Sequence, residues 1–163
     1  MKILDTTIRD GSYAIDFKFS CKDVQNLVEK AEKIGIEYIE IGHGQGLNAS
    51  SPEHGIALQS DEEYMKAARK VAGKAKLGFF CIPGIARMED LELAKKNGMD
   101  FIRIGVACSD YKKAIPYVKK GCYEGLEVFV NFMKTYASEP EEFAKAAAEV
   151  HNVGARCVYI VDS

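Results

Sequence analysis

Six short apolar segments recur along the chain, separated by stretches with the periodicity of amphipathic helices. Each segment is apolar almost throughout, which is typical of parallel strands covered on both faces. Their spacing of about 25–40 residues suits strand–helix–strand units. The sequence predicts strands at 2–5, 38–41, 77–82, 101–106, 126–132 and 157–161.

Five helices are predicted between these strands. Ser20 is placed to cap the first, which begins at Cys21, and Asp23 stands in the capping-box position. Gly35, Gly98 and Gly154 would end three of the five, as glycine often does. Six strands alternating with five helices predict an α/β fold with a parallel sheet, in one domain over residues 1–163.

Two parallel α/β folds fit this order. A Rossmann-type sheet carries G-x-G-x-x-G after its first strand, where this chain has R-D-G-S-Y at 9–13. A TIM barrel instead places polar residues at the carboxyl ends of several strands. Such residues follow most of the predicted strands, namely Arg9, Asp10, His43, Ser109, Asp110, Lys134, Tyr136, Asp162 and Ser163. The sequence therefore favours a TIM (βα)8 barrel.

The number of strands limits how much of a barrel is present. A TIM barrel has eight strands and typically about 250 residues, whereas six strands are predicted here. We expect the chain to be the N-terminal, six-strand part of a truncated barrel. Uncovered strand edges would favour self-association.

Charge and hydropathy exclude some partners. Lys and Arg total 22 against 24 Asp and Glu, a net charge of −2, whereas nucleic-acid binders usually carry a basic excess. No apolar run approaches the roughly 18 residues of a membrane span. The first five residues lack the apolar stretch of a signal peptide. We expect a cytoplasmic protein with neither nucleic-acid nor membrane partners.

The strongest functional signal is the segment L-D-T-T-I-R-D-G at 4–11. At a strand end, the carboxylate of Asp10 can bind a hard divalent cation. The guanidinium of Arg9 can hold an enolate or carboxylate oxygen. An internal ion pair that fastens the loop would use the same two residues, so the residues alone leave both interpretations open.

The D-x-T-x-R-D-G pattern resembles the signature of the divalent-metal aldolase and lyase barrels. That group includes 3-hydroxy-3-methylglutaryl-CoA lyase, isopropylmalate and homocitrate synthases, and the carboxyltransferase domain of pyruvate carboxylase. The 4-hydroxy-2-oxovalerate aldolase branch is the most similar. Its second-strand motif resembles I-E-I-G-H-G-Q-G-L at 39–47, and its third and sixth strand ends resemble 82–85 and 159–163.

The resemblance implies roles for individual residues. Asp10 matches a metal-ligand aspartate, Arg9 an arginine that stabilises the pyruvate enolate, and Glu40 an acidic residue near both. Asp162 and Ser163 match residues that place the substrate. The implied reaction is retro-aldol cleavage of a 4-hydroxy-2-oxo acid to pyruvate and an aldehyde, with Mn²⁺, Mg²⁺ or Zn²⁺ as Lewis acid.

The chain departs from this pattern in two places. Tyr13 stands where the close aldolases carry a histidine base, and an unperturbed tyrosine pKa of about 10 makes a poor base. The family completes its metal site with H-x-H on a seventh strand, and no H-x-H occurs here. We therefore expect the isolated chain to be inactive and to hold no metal tightly.

Other interpretations remain open. His43, in the loop after the second strand, is a candidate substrate contact, and Lys134 could support Schiff-base chemistry instead of metal chemistry. An acyl-CoA lyase or Claisen synthase of the same superfamily is an alternative. So is a non-catalytic scaffold that binds a partner. An acylating aldehyde dehydrogenase is the partner that the resemblance to the aldolases implies.

Overall fold

The computed structural model describes residues 2–161; Met1, Asp162 and Ser163 lie outside the described residues. Within that range, six parallel strands form one sheet in sequential order. They are β1 (Leu4–Asp5), β2 (Tyr38–Ile41), β3 (Lys76–Cys81), β4 (Phe101–Ala107), β5 (Glu127–Met133) and β6 (Cys157–Ile160). A Rossmann sheet reverses its strand order, and this sheet does not. The prediction of a TIM barrel truncated to six strands is confirmed.

Residues 2–161 also contain six α-helices, where five were predicted. They are α1 (Thr7–Gly11), α2 (Cys21–Lys33), α3 (Asp61–Val71), α4 (Met88–Lys96), α5 (Ile115–Tyr123) and α6 (Pro140–Asn152). The five predicted helices correspond to α2–α6. The additional helix, α1, has five residues, too few to show a helical period in sequence.

Capping boxes fix where α2 and α3 begin. The backbone nitrogen of Asp23 donates to Ser20 Oγ at 3.1 Å, and that of Ser20 donates to the Asp23 carboxylate at 2.9 Å. Ser60 and Glu63 form the same pair of bonds at the start of α3. The cap predicted at Ser20 is confirmed. Caps of this kind contribute about 1 kcal/mol each.

Hydrophobic clusters cover both faces of the sheet. The larger lies between the strands and the helices, and includes Ile39, Leu77 and Val130. The smaller lies on the inner, concave face, the side that faces the interior of a barrel. It consists of Tyr38, Phe101 and Phe129, packed against Leu4 and Tyr159.

The inner face changes from apolar to polar along the strands. Because side chains alternate across a strand, residues two positions apart share a face. Glu40, Arg103 and Asn131 each stand two residues after a member of the inner aromatic cluster. They form a polar layer nearer the carboxyl ends of β2, β4 and β5.

Strand β6 differs from the prediction that every strand is covered on both faces. Ile160 is 72% exposed and Cys157 is also exposed. The reason is position, because β6 pairs only with β5 among residues 2–161. Within that range, no helix is long and apolar enough to cross a bilayer.

Candidate active site at the carboxyl ends of the strands

A cavity of about 370 Å³ opens at the carboxyl ends of the strands. This is the end at which TIM barrels place their active sites. The lining comes from all six strands or the segments that follow them: Arg9, Asp10, Tyr13, Gly44, Phe80, Ile82, Arg103, Asn131, Met133 and Val161. Three of the predicted site residues, Arg9, Asp10 and Tyr13, therefore share one cavity.

Glu40 lies behind this lining and is completely buried. Its Oε1 accepts hydrogen bonds from Arg103 Nη2 at 2.7 Å and from Arg9 Nε at 2.8 Å. Its Oε2 accepts from Arg103 Nε at 2.7 Å. A buried carboxylate is costly unless paired and hydrogen-bonded. Glu40 thus holds two arginines in place and does not itself line the cavity, so we revise its predicted catalytic role to a positioning role.

Arg103 also lines the cavity, although it was not among the predicted site residues. Its side chain is 9% exposed, and its Nη1 donates to Asn131 Oδ1 at 2.9 Å. Burial opposes the charged form, but the hydrogen bonds and charge of Glu40 outweigh it, so the pKa of Arg103 is raised. The sequence does carry a signal at Arg103, because an arginine inside the apolar strand F-I-R-I-G-V-A requires a buried partner.

Arg9 presents a positive charge at the cavity. Its Nη1 donates to Asp10 Oδ1 at 2.8 Å and to the Gly44 carbonyl at 3.3 Å. The guanidinium carbons of Arg9 and Arg103 lie 5.0 and 4.9 Å from the centroid of the Phe80 ring, within cation–π range. Two guanidiniums face two carboxylates, buried Glu40 and exposed Asp10, so the charges of the four groups balance. The guanidinium of Arg9 still presents fixed N–H donors at the cavity wall, which suit an oxygen of a small anion.

Asp10 is the candidate metal ligand. Its side chain is 63% exposed, and one of its oxygens already accepts from Arg9. Within residues 2–161, no group of three or more His, Cys, Asp or Glu side chains is arranged to share a metal ion. The exposed carboxylate fits one position in the shell of a divalent cation, a shell that is often completed by water and substrate oxygens.

Tyr13 lies at the mouth of the cavity and is 47% exposed. Its ring packs on Gly44, where a Cβ would lie 2.4 Å from Tyr13 Cε2. Partial burial raises the pKa of Tyr13; Arg9 opposes this shift and Asp10 adds to it. The phenol therefore stays protonated near neutral pH, which makes it a hydrogen-bond donor and a poor base.

His43 is not brought to the cavity. It is 1% exposed and stacks on Phe17, with ring centroids 4.0 Å apart. Its Nδ1 accepts from the backbone nitrogen of Gln45 at 3.1 Å, and its Nε2 lies 3.1 Å from the Gly55 carbonyl. Burial lowers the pKa of His43, which favours the neutral ring. A substrate contact needs an available ring nitrogen, and both ring nitrogens of His43 face backbone groups. We therefore change its predicted role from substrate contact to a residue that shapes the loop.

Asp162 and Ser163, predicted to place the substrate, lie outside the described residues. Lys134, the candidate Schiff-base lysine, is not among the residues that line the cavity.

Comparison with solved structures defines the class of fold. The carboxyl transferase domain of Rhizobium etli pyruvate carboxylase superposes with a TM-score of 0.78, covering 99% of this chain and 30% of that chain at 15% sequence identity. At this identity the likeness shows the fold alone, and it agrees with a barrel of this type.

Comparison of sequences defines the family. The HMGL-like family model matches residues 1–163, and the chain belongs to that family. It is 41% identical over 161 residues to an oxaloacetate decarboxylase of Mycobacterium tuberculosis, and 35% identical over 163 residues to a 4-hydroxy-2-oxovalerate aldolase of Geobacillus genomosp. 3. The two matches include 99% and 100% of this chain, but only 47% and 48% of the respective relatives. The chain thus spans about half the length of these relatives.

Proposed function

We propose that the chain provides the anion-binding part of a metal-assisted carbon–carbon lyase that cleaves a 2-oxo acid and releases pyruvate. The observation that carries the proposal is the Arg9 guanidinium, held at the cavity by buried Glu40 at 2.8 Å. Cleavage of the C3–C4 bond of a 2-oxo acid gives an enolate, which carries negative charge on the C2 oxygen. A fixed donor stabilises such charge without reorganising during the reaction.

The chain's own residues divide the work. Arg9 would donate to the C2 oxygen as its charge grows, and Glu40 would keep the guanidinium aligned. Asp10 would hold a divalent cation, which when bound supplies Lewis-acid polarisation of the 2-oxo carbonyl. Tyr13, which stays protonated, could deliver a proton to C3 after the bond breaks.

The first candidate substrate is a 4-hydroxy-2-oxo acid. In retro-aldol cleavage the C3–C4 bond breaks, its electrons move toward the C2 oxygen, and the C4 hydroxyl loses its proton to a base. The aldolases named among the relatives support this substrate. Tyr13 is poorly suited to that base role, so the base would have to be another group.

The second candidate is oxaloacetate, favoured by a specific observation. Loss of CO2 gives the same pyruvate enolate without removing a hydroxyl proton, so no base is needed at that step. A protonated Tyr13 suits this reaction, and the relative that is 41% identical carries the name oxaloacetate decarboxylase.

Pyruvate release tests both candidates. The gene product that contains residues 1–163 is incubated with Mn²⁺ or Mg²⁺ and each substrate, and pyruvate is followed with lactate dehydrogenase. Arg9→Lys keeps the charge but loses the forked geometry, so kcat/KM should fall at least about 100-fold. Arg156→Lys, an exposed arginine at the opposite end of β6, is the matched control and should leave the rate unchanged. Absence of pyruvate from both substrates contradicts the proposal.

The alternatives from the sequence have their own signatures. Turnover that depends on a CoA thioester would identify the acyl-CoA lyase or Claisen synthase. Binding of a partner without turnover would identify the scaffold. If the aldolase reaction holds, an acylating aldehyde dehydrogenase that consumes the aldehyde is the proposed partner, and co-purification of the two proteins is the test.

A further inference from the structure

Asn131 is a buried amide on the inner face of β5. It is 5% exposed and lines the cavity. Its Oδ1 accepts a hydrogen bond from Arg103 Nη1 at 2.9 Å. A guanidinium has donors and no acceptor, so only the oxygen of the amide can face Arg103. The Arg103 contact therefore fixes the orientation of the amide and directs Nδ2 elsewhere.

The Nδ2 group of Asn131 is the end of the amide that does not contact Arg103. Among residues 2–161 it donates no hydrogen bond, and Asn131 is one of the residues that line the cavity. From the cavity wall its two N–H donors can reach a ligand.

Satisfying Arg103 does not by itself require an asparagine. An aspartate at this position would accept from Arg103 equally well, but it would add a second carboxylate to the cavity lining, beside Asp10. An asparagine accepts from Arg103, adds no negative charge and provides a donor. Its donor lies in the same cavity as the Arg9 guanidinium, so both can act on the oxygens of one small anion.

We propose that the side-chain amide of Asn131 is a substrate-binding group, which donates a hydrogen bond from Nδ2 to an oxygen of the bound 2-oxo acid. This inference rests on the proposed function and adds a residue to its site. Arg103 acts through Asn131 as a positioning residue, because it sets which end of the amide meets the ligand.

The test is a titration of ¹⁵N-labelled protein with oxalate, whose planar shape and charge match the enolate of a 2-oxo acid, in excess Mg²⁺. The side-chain NH₂ signals of Asn131 should shift and saturate with the backbone amides of Tyr13 and Gly44. Asn48 and Asn97 are internal controls, because their Nδ2 groups donate to the carbonyls of Ile85 and Leu93 at 2.8 and 3.0 Å. Their signals should not move.

The two proposals fail in different ways. If the amides of Tyr13 and Gly44 shift while the Asn131 NH₂ signals stay fixed, the substrate-binding role of Asn131 is overturned and the anion site stands. If none of the three responds, the proposed function is overturned as well, and the role of Asn131 with it.

A substitution gives a second measurement. Asn131→Leu keeps the branching at Cγ and removes the donor, so oxalate should bind about ten- to hundredfold more weakly. Asn97→Leu, on the helix side of the sheet, should bind oxalate as the wild type does. Wild-type affinity in Asn131→Leu overturns the proposal. If that variant does not fold, the titration of the unsubstituted protein decides.

Discussion

Arg103 holds Glu40 by both carboxylate oxygens, with Nη2–Oε1 and Nε–Oε2 distances of 2.7 Å each. This two-point contact leaves Oε1 positioned to accept from Arg9 as well. The orientation of Arg9, on α1, therefore depends on an arginine of β4, because both bind the same carboxylate.

Removing Arg103 should be strongly destabilising. Arg103→Met would leave the carboxylate of Glu40 buried with Arg9 as its remaining partner, and breaking a buried pair in this way costs about 3–5 kcal/mol. The double variant Arg103→Met, Glu40→Leu should recover much of the loss, because no uncompensated buried carboxylate remains. Urea unfolding of the three proteins measures both effects. A single variant as stable as the wild type would contradict the account.

Tyr13 should remain protonated through the physiological range. Partial burial raises its pKa above the ordinary value of 10, against the opposing charge of Arg9. The difference in tyrosinate absorbance between wild type and Tyr13→Phe isolates this one phenol, and its midpoint should lie above pH 10. Ionisation below pH 8 would restore Tyr13 as a candidate base.

Asp61 should make the protein less stable as the pH rises from about 4 to 6. Its Oδ2 accepts from the backbone nitrogen of Asn48 at 2.7 Å. Burial raises its pKa from 3.8 to about 6; the Asn48 bond opposes the shift and the charge of Asp90 adds to it. Between pH 3.8 and about 6 the folded state therefore binds more protons than the unfolded state. The stabilisation that protonated Asp61 gives the folded state is lost as the pH rises through about 6.

Asp61→Asn is the corresponding test, since it keeps an acceptor for Asn48 and cannot ionise. At pH 7.5 the variant should be more stable than the wild type by about 3 kcal/mol. Near pH 4 the difference should disappear. Urea unfolding at both values gives the comparison, and a difference independent of pH would show that Asp61 is not the titrating group.

Self-association stays a prediction from the exposed sheet. Ile160 on β6 is 72% exposed, and β1 and β6 each pair with a single strand within the described range. Such edges favour contact between chains. Sedimentation velocity of residues 1–163 should show an average mass that rises with concentration. A constant monomer mass at high concentration would contradict this expectation.

The sequence predicted the strands and long helices well because their signals are local. Apolar runs and capping residues such as Ser20 act within a few positions of themselves. The R-D pair at 9–10 was interpretable because it follows a strand end. Only the resemblance brought Glu40 next to Arg9, because the two are 31 residues apart.

Which residues face the cavity, how His43 is held and where α1 forms could not be predicted from the sequence, and the reasons are physical. In strands buried on both faces, periodicity does not reveal which face is concave, so Arg103 and Asn131 were not assigned to the cavity. The loop contact of His43 could not be predicted because its partner, the Gly55 carbonyl, lies 12 residues away in an irregular loop. The short helix α1 has no detectable period.

If this cavity stabilises the enolate of pyruvate, the protein should catalyse deuterium exchange at the methyl group of pyruvate. The gene product that contains residues 1–163 is incubated with pyruvate and Mg²⁺ in D₂O and followed by ¹H NMR, against Mg²⁺ alone. Exchange should be well above the metal-only rate, reduced at least about 100-fold by Arg9→Lys and unchanged by Arg156→Lys. Exchange no faster than with Mg²⁺ alone, or exchange that survives Arg9→Lys, would show that the cavity does not stabilise the enolate through Arg9.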